Sequence, residues 1–99
     1  MDSVLKEKWF ALSLAQQMIN IGNEVKRGLK VDSDSEKKTM FFEKAIQYTQ
    51  LTMEDCKNAH VLPELLISKK VLEDYSGEHN LACSGEQIIR YYQAYQYLL

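Results

Sequence analysis

A chain of 99 residues holds one compact domain and is too short for two. At 45% hydrophobic and 26% charged residues it has the composition of a folded globular protein, which excludes general disorder. The formal net charge of −2, with acids and bases interleaved, lacks the basic excess on which phosphate binding rests, and this disfavours nucleic acid as a partner.

One Pro, four Gly and abundant Leu, Lys, Glu, Gln, Ala and Met favour helices; an all-β domain needs turn residues roughly every eight to twelve positions. No apolar run approaches the ~20 residues that span a bilayer, so no membrane association is expected. Met1 to Lys8 mixes charges of both signs ahead of no signal-type apolar core, which points to a soluble, cytoplasmic protein. In that setting Cys56 and Cys83 read as free thiols.

In chain order, Leu5, Trp9, Leu12, Ala15, Ile19, Gly22, Val25 and Leu29 recur at three- and four-residue steps, which predicts a first helix near 3–29. Phe10, Leu14, Met18 and Ile21 widen its apolar stripe, while Lys6, Ser13, Asn20, Glu24 and Arg27 mark the opposite side. Asp2 or Ser3 can cap its start. Gly22 in mid-helix costs about 1 kcal/mol relative to Ala, and close approach of a neighbouring helix is the simplest compensation. Gly28 stands near the helix end, where a left-handed residue is tolerated.

Asp32, Ser33 and Asp34 form a polar connection that can cap a second helix near 35–56. Its apolar face is Phe42, Ala45, Ile46, Thr49, Met53 and Cys56, helped by Phe41 and Tyr48, and its wet face is Glu43, Gln47, Gln50 and Glu54. The pattern breaks between Asn58 and Pro63. Pro63 suits the first turn of a third helix near 62–76, carried by Leu65, Leu66, Ile67, Val71, Leu72 and Tyr75 and stopped at Gly77. A loop from Glu78 to Cys83 leads to Ser84-Gly85-Glu86-Gln87, a capping-box sequence opening a fourth helix near 85–98. Ile88, Tyr91, Tyr92, Tyr95, Leu98 and Leu99 form its apolar side. The expected fold is an all-α, four-helix up-and-down bundle with a single domain over 1–99.

Three constellations carry potential chemistry. Cys56/His60 and His79/Cys83 are each four residues apart, a spacing that can chelate zinc from one helical face. It is not a zinc-finger spacing, and both histidines fall in loop sequence, so no metal site is expected. Asp32, Asp34, Glu36 and Glu43 match positions of a calcium loop, but Lys37 stands where that loop requires Gly. A capped interhelical turn explains these acids better. Lys26, Arg27, Lys30, Lys37 and Lys38 gather at the same end, partly neutralised by Asp32, Asp34 and Glu36, and read as a solvated tip.

Tyr91, Tyr92, Tyr95 and Tyr97 crowd the last helix beside a single base, Arg90. Stacking on single-stranded nucleic acid needs more cationic residues than this. The three tyrosines 91, 92 and 95 cannot all point inward, which leaves some at a rim, and Tyr is favoured at protein interfaces. No phosphate loop, HExxH or nucleophile motif is present. No catalytic residue and no cofactor are therefore expected. Tyr91, Tyr92, Tyr95, Tyr97 and Gly22 are the candidate interface residues.

The segment Met18-Ile19-Asn20-Ile21-Gly22-Asn23-Glu24-Val25-Lys26-Arg27 resembles a helix of the HEPN superfamily. That superfamily comprises small prokaryotic helical bundles, several encoded beside minimal nucleotidyltransferases as toxin–antitoxin or defence pairs. Ser13 to Gln17, Phe42 to Ile46 and Leu65-Leu66 also look like a group of bacterial helical proteins. Ribonuclease members carry an Arg followed four to six residues later by His. Neither Arg27 nor Arg90 has such a His here, so the resemblance implies a dimerising bundle without nuclease residues. The expectation is a non-enzymatic interaction protein that associates with itself or a protein partner; an RNA-directed or toxin–antitoxin module paired with a nucleotidyltransferase is the alternative.

Overall fold

A computed structural model describes residues 3–31, 33–77, 81 and 83–98. Asp2, Asp32, His79 and Leu99, which entered the expectations above, lie outside the described residues. Among the described residues the chain forms α1 (Ser3–Phe10), α2 (Leu14–Lys30), α3 (Ser35–Glu54), a 3-10 turn (Cys56–Val61), α4 (Leu62–Ser76), α5 (Gly85–Gln93) and a second 3-10 turn (Ala94–Leu98). The all-α expectation holds, but the expected four helices are five. No helix among them is long and apolar enough to cross a membrane.

The expected helix over 3–29 breaks after Phe10 because Ser13 caps a new one. The Gln16 amide donates to Ser13 Oγ at 3.1 Å, and the Ser13 amide donates to Gln16 Oε1 at 2.9 Å. This reciprocal capping box satisfies two amides that a continuous helix would have used. The last helix likewise tightens from α-helix to 3-10 turn at Ala94. The other expected signals appear where the residues placed them. Asp34 caps α3, Pro63 lies in the first turn of α4 and Gly77 ends it, and Ser84 and Gln87 form the capping box of α5. The helix expected to reach Cys56 ends at Glu54, where Asp55 caps the 3-10 turn instead.

The break also turns α1 inward and builds a buried polar knot. The Trp9 indole donates to Thr52 Oγ1 at 3.0 Å. The Gln17 amide donates to the Trp9 carbonyl at 2.9 Å and to Asp55 Oδ2 at 3.0 Å. Asn58 in turn donates to Gln17 Oε1 at 2.8 Å and to the Thr52 carbonyl at 3.0 Å. Lys57 reaches the Phe10 carbonyl at 2.9 Å and the Asp55 carboxylate. Gln17, Asp55 and Asn58 are all buried. These bonds take up the carbonyl freed at the end of α1 and fasten α1, α2 and the end of α3 to one another.

Core packing centres on the α2–α3 hairpin, with α5 against α2 and α4 against α3. Met18, Ile21, Val25, Phe42, Ala45, Leu65 and Leu72 are fully buried. Glu24, expected on the wet side of its helix, is only 5% exposed; the stripe is rotated toward Gln17, Ile21 and Glu24. Both α2 glycines are sites of close approach. A Cβ on Gly22 would stand 2.6 Å from Tyr92 Cβ, and one on Gly28 would stand 2.8 Å from the Phe42 ring. Gly28 is therefore an interior helical contact rather than a left-handed stop.

Two predictions follow from these contacts. In Gly22→Ala the new methyl meets an atom next to the α5 backbone, which cannot swing aside. The gain in helix propensity of about 1 kcal/mol is outweighed by overpacking, and thermal denaturation is expected to show a net loss of about 1–2 kcal/mol. The second concerns Asp55. Burial works to raise its pKa, but hydrogen bonds from Lys57 and Gln17 outweigh burial and leave it below the ordinary value of 3.8. A depressed carboxylate stabilises the fold above its unfolded pKa and ceases to do so as pH falls through its folded one. Stability measured by denaturant melts should drop below about pH 4, and Asp55→Asn should be less stable at neutral pH with a shallower acid limb.

Candidate functional site

α4 and α5 flank the hairpin, and the side between them is an open groove of about 370 Å³ lined by Glu64, Ile67, Ser68, Val71, Cys83, Gln87, Ile88, Tyr91 and Tyr92. Ile88 and Tyr92 form the floor because they are buried against the core. Helical spacing accounts for the walls. Glu64, Ile67, Ser68 and Val71 follow the three- and four-residue rhythm along α4, as do Gln87, Ile88, Tyr91 and Tyr92 along α5.

The tyrosines separate into distinct roles. Tyr92 lies under α5 against Gly22. Tyr91 stands edge-on to Tyr92, with ring centres 5.0 Å apart and planes at 74°, and edge-on to Tyr95 at 5.8 Å and 80°. The Tyr91 hydroxyl donates to Glu64 Oε1 at 3.1 Å, with the Tyr95 hydroxyl 3.5 Å from the same oxygen. Burial, the largest cause, pushes the Tyr91, Tyr92 and Tyr95 hydroxyls above the ordinary phenol value. They stay neutral and available as hydrogen-bond donors.

Tyr91, Tyr92 and Tyr95 thus come together, while Tyr97 is 91% exposed and does not line the groove. Gly22 is covered by Tyr92 and offers no surface of its own. Glu64, Ile67 and Val71 were missed as site residues because their role needs α5 alongside. The one sequence signal was Ile67, whose apolar side chain falls on the outer face of α4 and is 63% exposed.

The other constellations do not assemble. Cys56 and His60 are exposed on the 3-10 turn, whereas Cys83 lines the groove. Among the described residues no three metal-ligating side chains gather. Asp34 caps α3, and Glu36 and Glu43 lie within that helix, which leaves no calcium-loop geometry. Of the basic tip, Arg27 bonds to Glu24 at 2.6 Å and Lys38 sits 4.8 Å over the Tyr75 ring. Arg90 pairs with Glu86 at 2.7 Å. No family model matches the sequence, and no curated protein or solved structure is significantly similar to it.

In an alkaline spectrophotometric titration, Tyr91 and Tyr92 should ionise well above the ordinary phenol value of about 10. Tyr91→Phe and Tyr92→Phe should each remove one late phenolate step.

Proposed function

We propose that this protein is a non-enzymatic, cytoplasmic interaction module that docks a second copy or a protein partner in the α4–α5 groove. The observation that carries the reading is the groove itself, an open, apolar trough whose edge exposes Ile67. An open apolar trough of this kind marks interaction sites on folded domains. Among the described residues Glu64 is the one carboxylate in a lining otherwise made of apolar side chains, neutral hydroxyls, an amide and a thiol, which suits docking better than bond-making chemistry.

The RNA-directed, HEPN-like reading draws less support. Its helix, Met18 to Arg27, lies in α2, where Ile21 and Val25 serve the core and Gly22 receives Tyr92. Arg27 and Arg90 are each held by a carboxylate.

Ile67→Lys tests the docking reading, because an exposed side chain can be charged without disturbing the core. The native chain is expected to self-associate in sedimentation equilibrium or to retain a specific partner in crosslinked extracts, and the variant to lose that association with an unchanged melting temperature. A native chain that is monomeric at high concentration and crosslinks to the same proteins as the variant overturns it.

A further inference from the structure

We infer that α1 is an exchangeable arm: the chain straightens at Ala11–Ser13 into one helix with α2, and α1 then takes on a second copy the seat it holds on its own. The seat lies at the polar knot, away from the α4–α5 groove, and the inference does not depend on the docking reading.

Anchorage is the first argument. Trp9 is the one buried residue of α1, and the helix packs chiefly on α3. The indole stacks on Tyr48, with ring centres 4.5 Å apart and planes at 17°, and donates to Thr52. Further ties are the Gln17 bond to the Trp9 carbonyl, the Lys57 bond to the Phe10 carbonyl and the Lys6–Glu54 ion pair at 3.0 Å. That ion pair is exposed at the surface, where such pairs add little.

The hinge is the second. Ala11, Leu12 and Ser13 include neither Gly nor Pro, and Ala and Leu are among the strongest helix formers. The apolar stripe of Leu5, Trp9, Leu12, Ala15 and Ile19 crosses them at unbroken helical spacing. What bends the chain is the Ser13–Gln16 capping box and the extended Ser13 backbone, at φ −67° and ψ 162°. The segment thus has two locally consistent conformations, a capped bend and a continuous helix. A hinge with two such states is what exchange of an element between identical chains requires.

Geometry is the third. Gln17 already faces Asp55, the residue that follows the end of α3 at Glu54. A straight α1 therefore projects past the end of α3 and leaves its own Trp9 seat empty. The α1 of a second copy brings back the indole for Tyr48 and Thr52, and the two carbonyls for Gln17 and Lys57. Each of these contacts is remade between chains, and the hinge alone differs. Exchange requires Trp9 to leave its seat, so it is slow at rest and is brought about by warming concentrated protein.

The test mixes equal amounts of heavy-nitrogen-labelled and unlabelled full chain. The mixture is concentrated, warmed briefly toward the melting midpoint, cooled and separated by size exclusion with light scattering. Carbodiimide then joins Lys6 to Glu54, whose charged atoms are in contact, and mass spectrometry reads the labels of the joined peptides. The dimer fraction is expected to carry Lys6–Glu54 links of mixed label, and the monomer fraction links of like label. Ser13→Ala removes the cap and keeps a helix former, and should shift the equilibrium toward mixed-label dimer by about fivefold per arm. Leu14→Pro should shift it the other way. Proline is tolerated at the first position of α2 and demands the extended Ser13 already present, but it breaks a helix running through it.

A dimer whose Lys6–Glu54 links are all of like label overturns the inference and leaves docking of intact copies standing. Absence of dimer in Ser13→Ala overturns it as well, as does a Ser13→Ala dimer fraction equal to the native one. A mixed-label dimer undiminished in Leu14→Pro overturns the hinge. Should Leu14→Pro melt too low for comparison, the label pattern in the native chain and in Ser13→Ala decides alone.

Discussion

Tyr92 packs directly on Gly22, at a position where a side chain on residue 22 would collide with it. The tyrosine Cβ occupies space that any side chain at position 22 would need, so α5 is drawn onto α2 at one height along its axis. The arrangement is favourable on balance. Glycine inside a helix costs about 1 kcal/mol, whereas burying an aromatic side chain contributes about 1.5–3 kcal/mol. The same ring then supports Tyr91 edge-on. A single contact thereby positions α5 on the hairpin, floors the groove and holds the aromatic wall that faces Glu64.

The opposite end of the molecule is organised by polar rather than apolar contacts. Gln17 uses its amide hydrogens on Trp9 and Asp55 and its carbonyl on Asn58, so one buried side chain links α1, α2 and the turn into α4. The knot leaves only Asn58 Oδ1 without a partner among its described side-chain atoms. Glu24, farther along α2, is less well served. Its Oε1 is bonded by Arg27, with Lys44 at 3.9 Å, while its Oε2 is buried without a hydrogen bond. A buried unsatisfied polar atom costs about 1–3 kcal/mol, so the Glu24 side of the hairpin gives up stability that the Gln17 knot supplies.

Together these two centres separate scaffold from surface. The knot and the Gly22 contact consume the polar and close-packing possibilities of α2, and none of its residues line the α4–α5 groove. α4 and α5 are each packed on the hairpin by one side, which leaves their facing sides to meet through side chains around the groove. The groove is thus a consequence of the packing order, with both walls held by the rigid part of the fold. Preformed walls suit a docking site, because little conformational freedom remains to be lost when an occupant arrives.

The sequence by itself determined the helical class, the placing of most caps and stops, and the need for a close neighbour at Gly22. Each of these depends on interactions within about four residues: three- and four-residue apolar spacing, the Ser84–Gln87 reciprocal cap, the Pro63 start and the Gly77 stop. Even the break after Phe10 was legible in Ser13 and Gln16, but the apolar stripe ran on across it and masked the capping signal. Tertiary structure alone decided that Glu24 and Gln17 face inward, that Tyr92 is buried while Tyr91 and Tyr95 stand at a rim, and that Glu64 belongs with them. The physical reason is range. Trp9 meets Thr52 across 43 positions and Tyr91 meets Glu64 across 27, and pairings at such separations follow from how whole helices rotate and seat on one another, which no local spacing records.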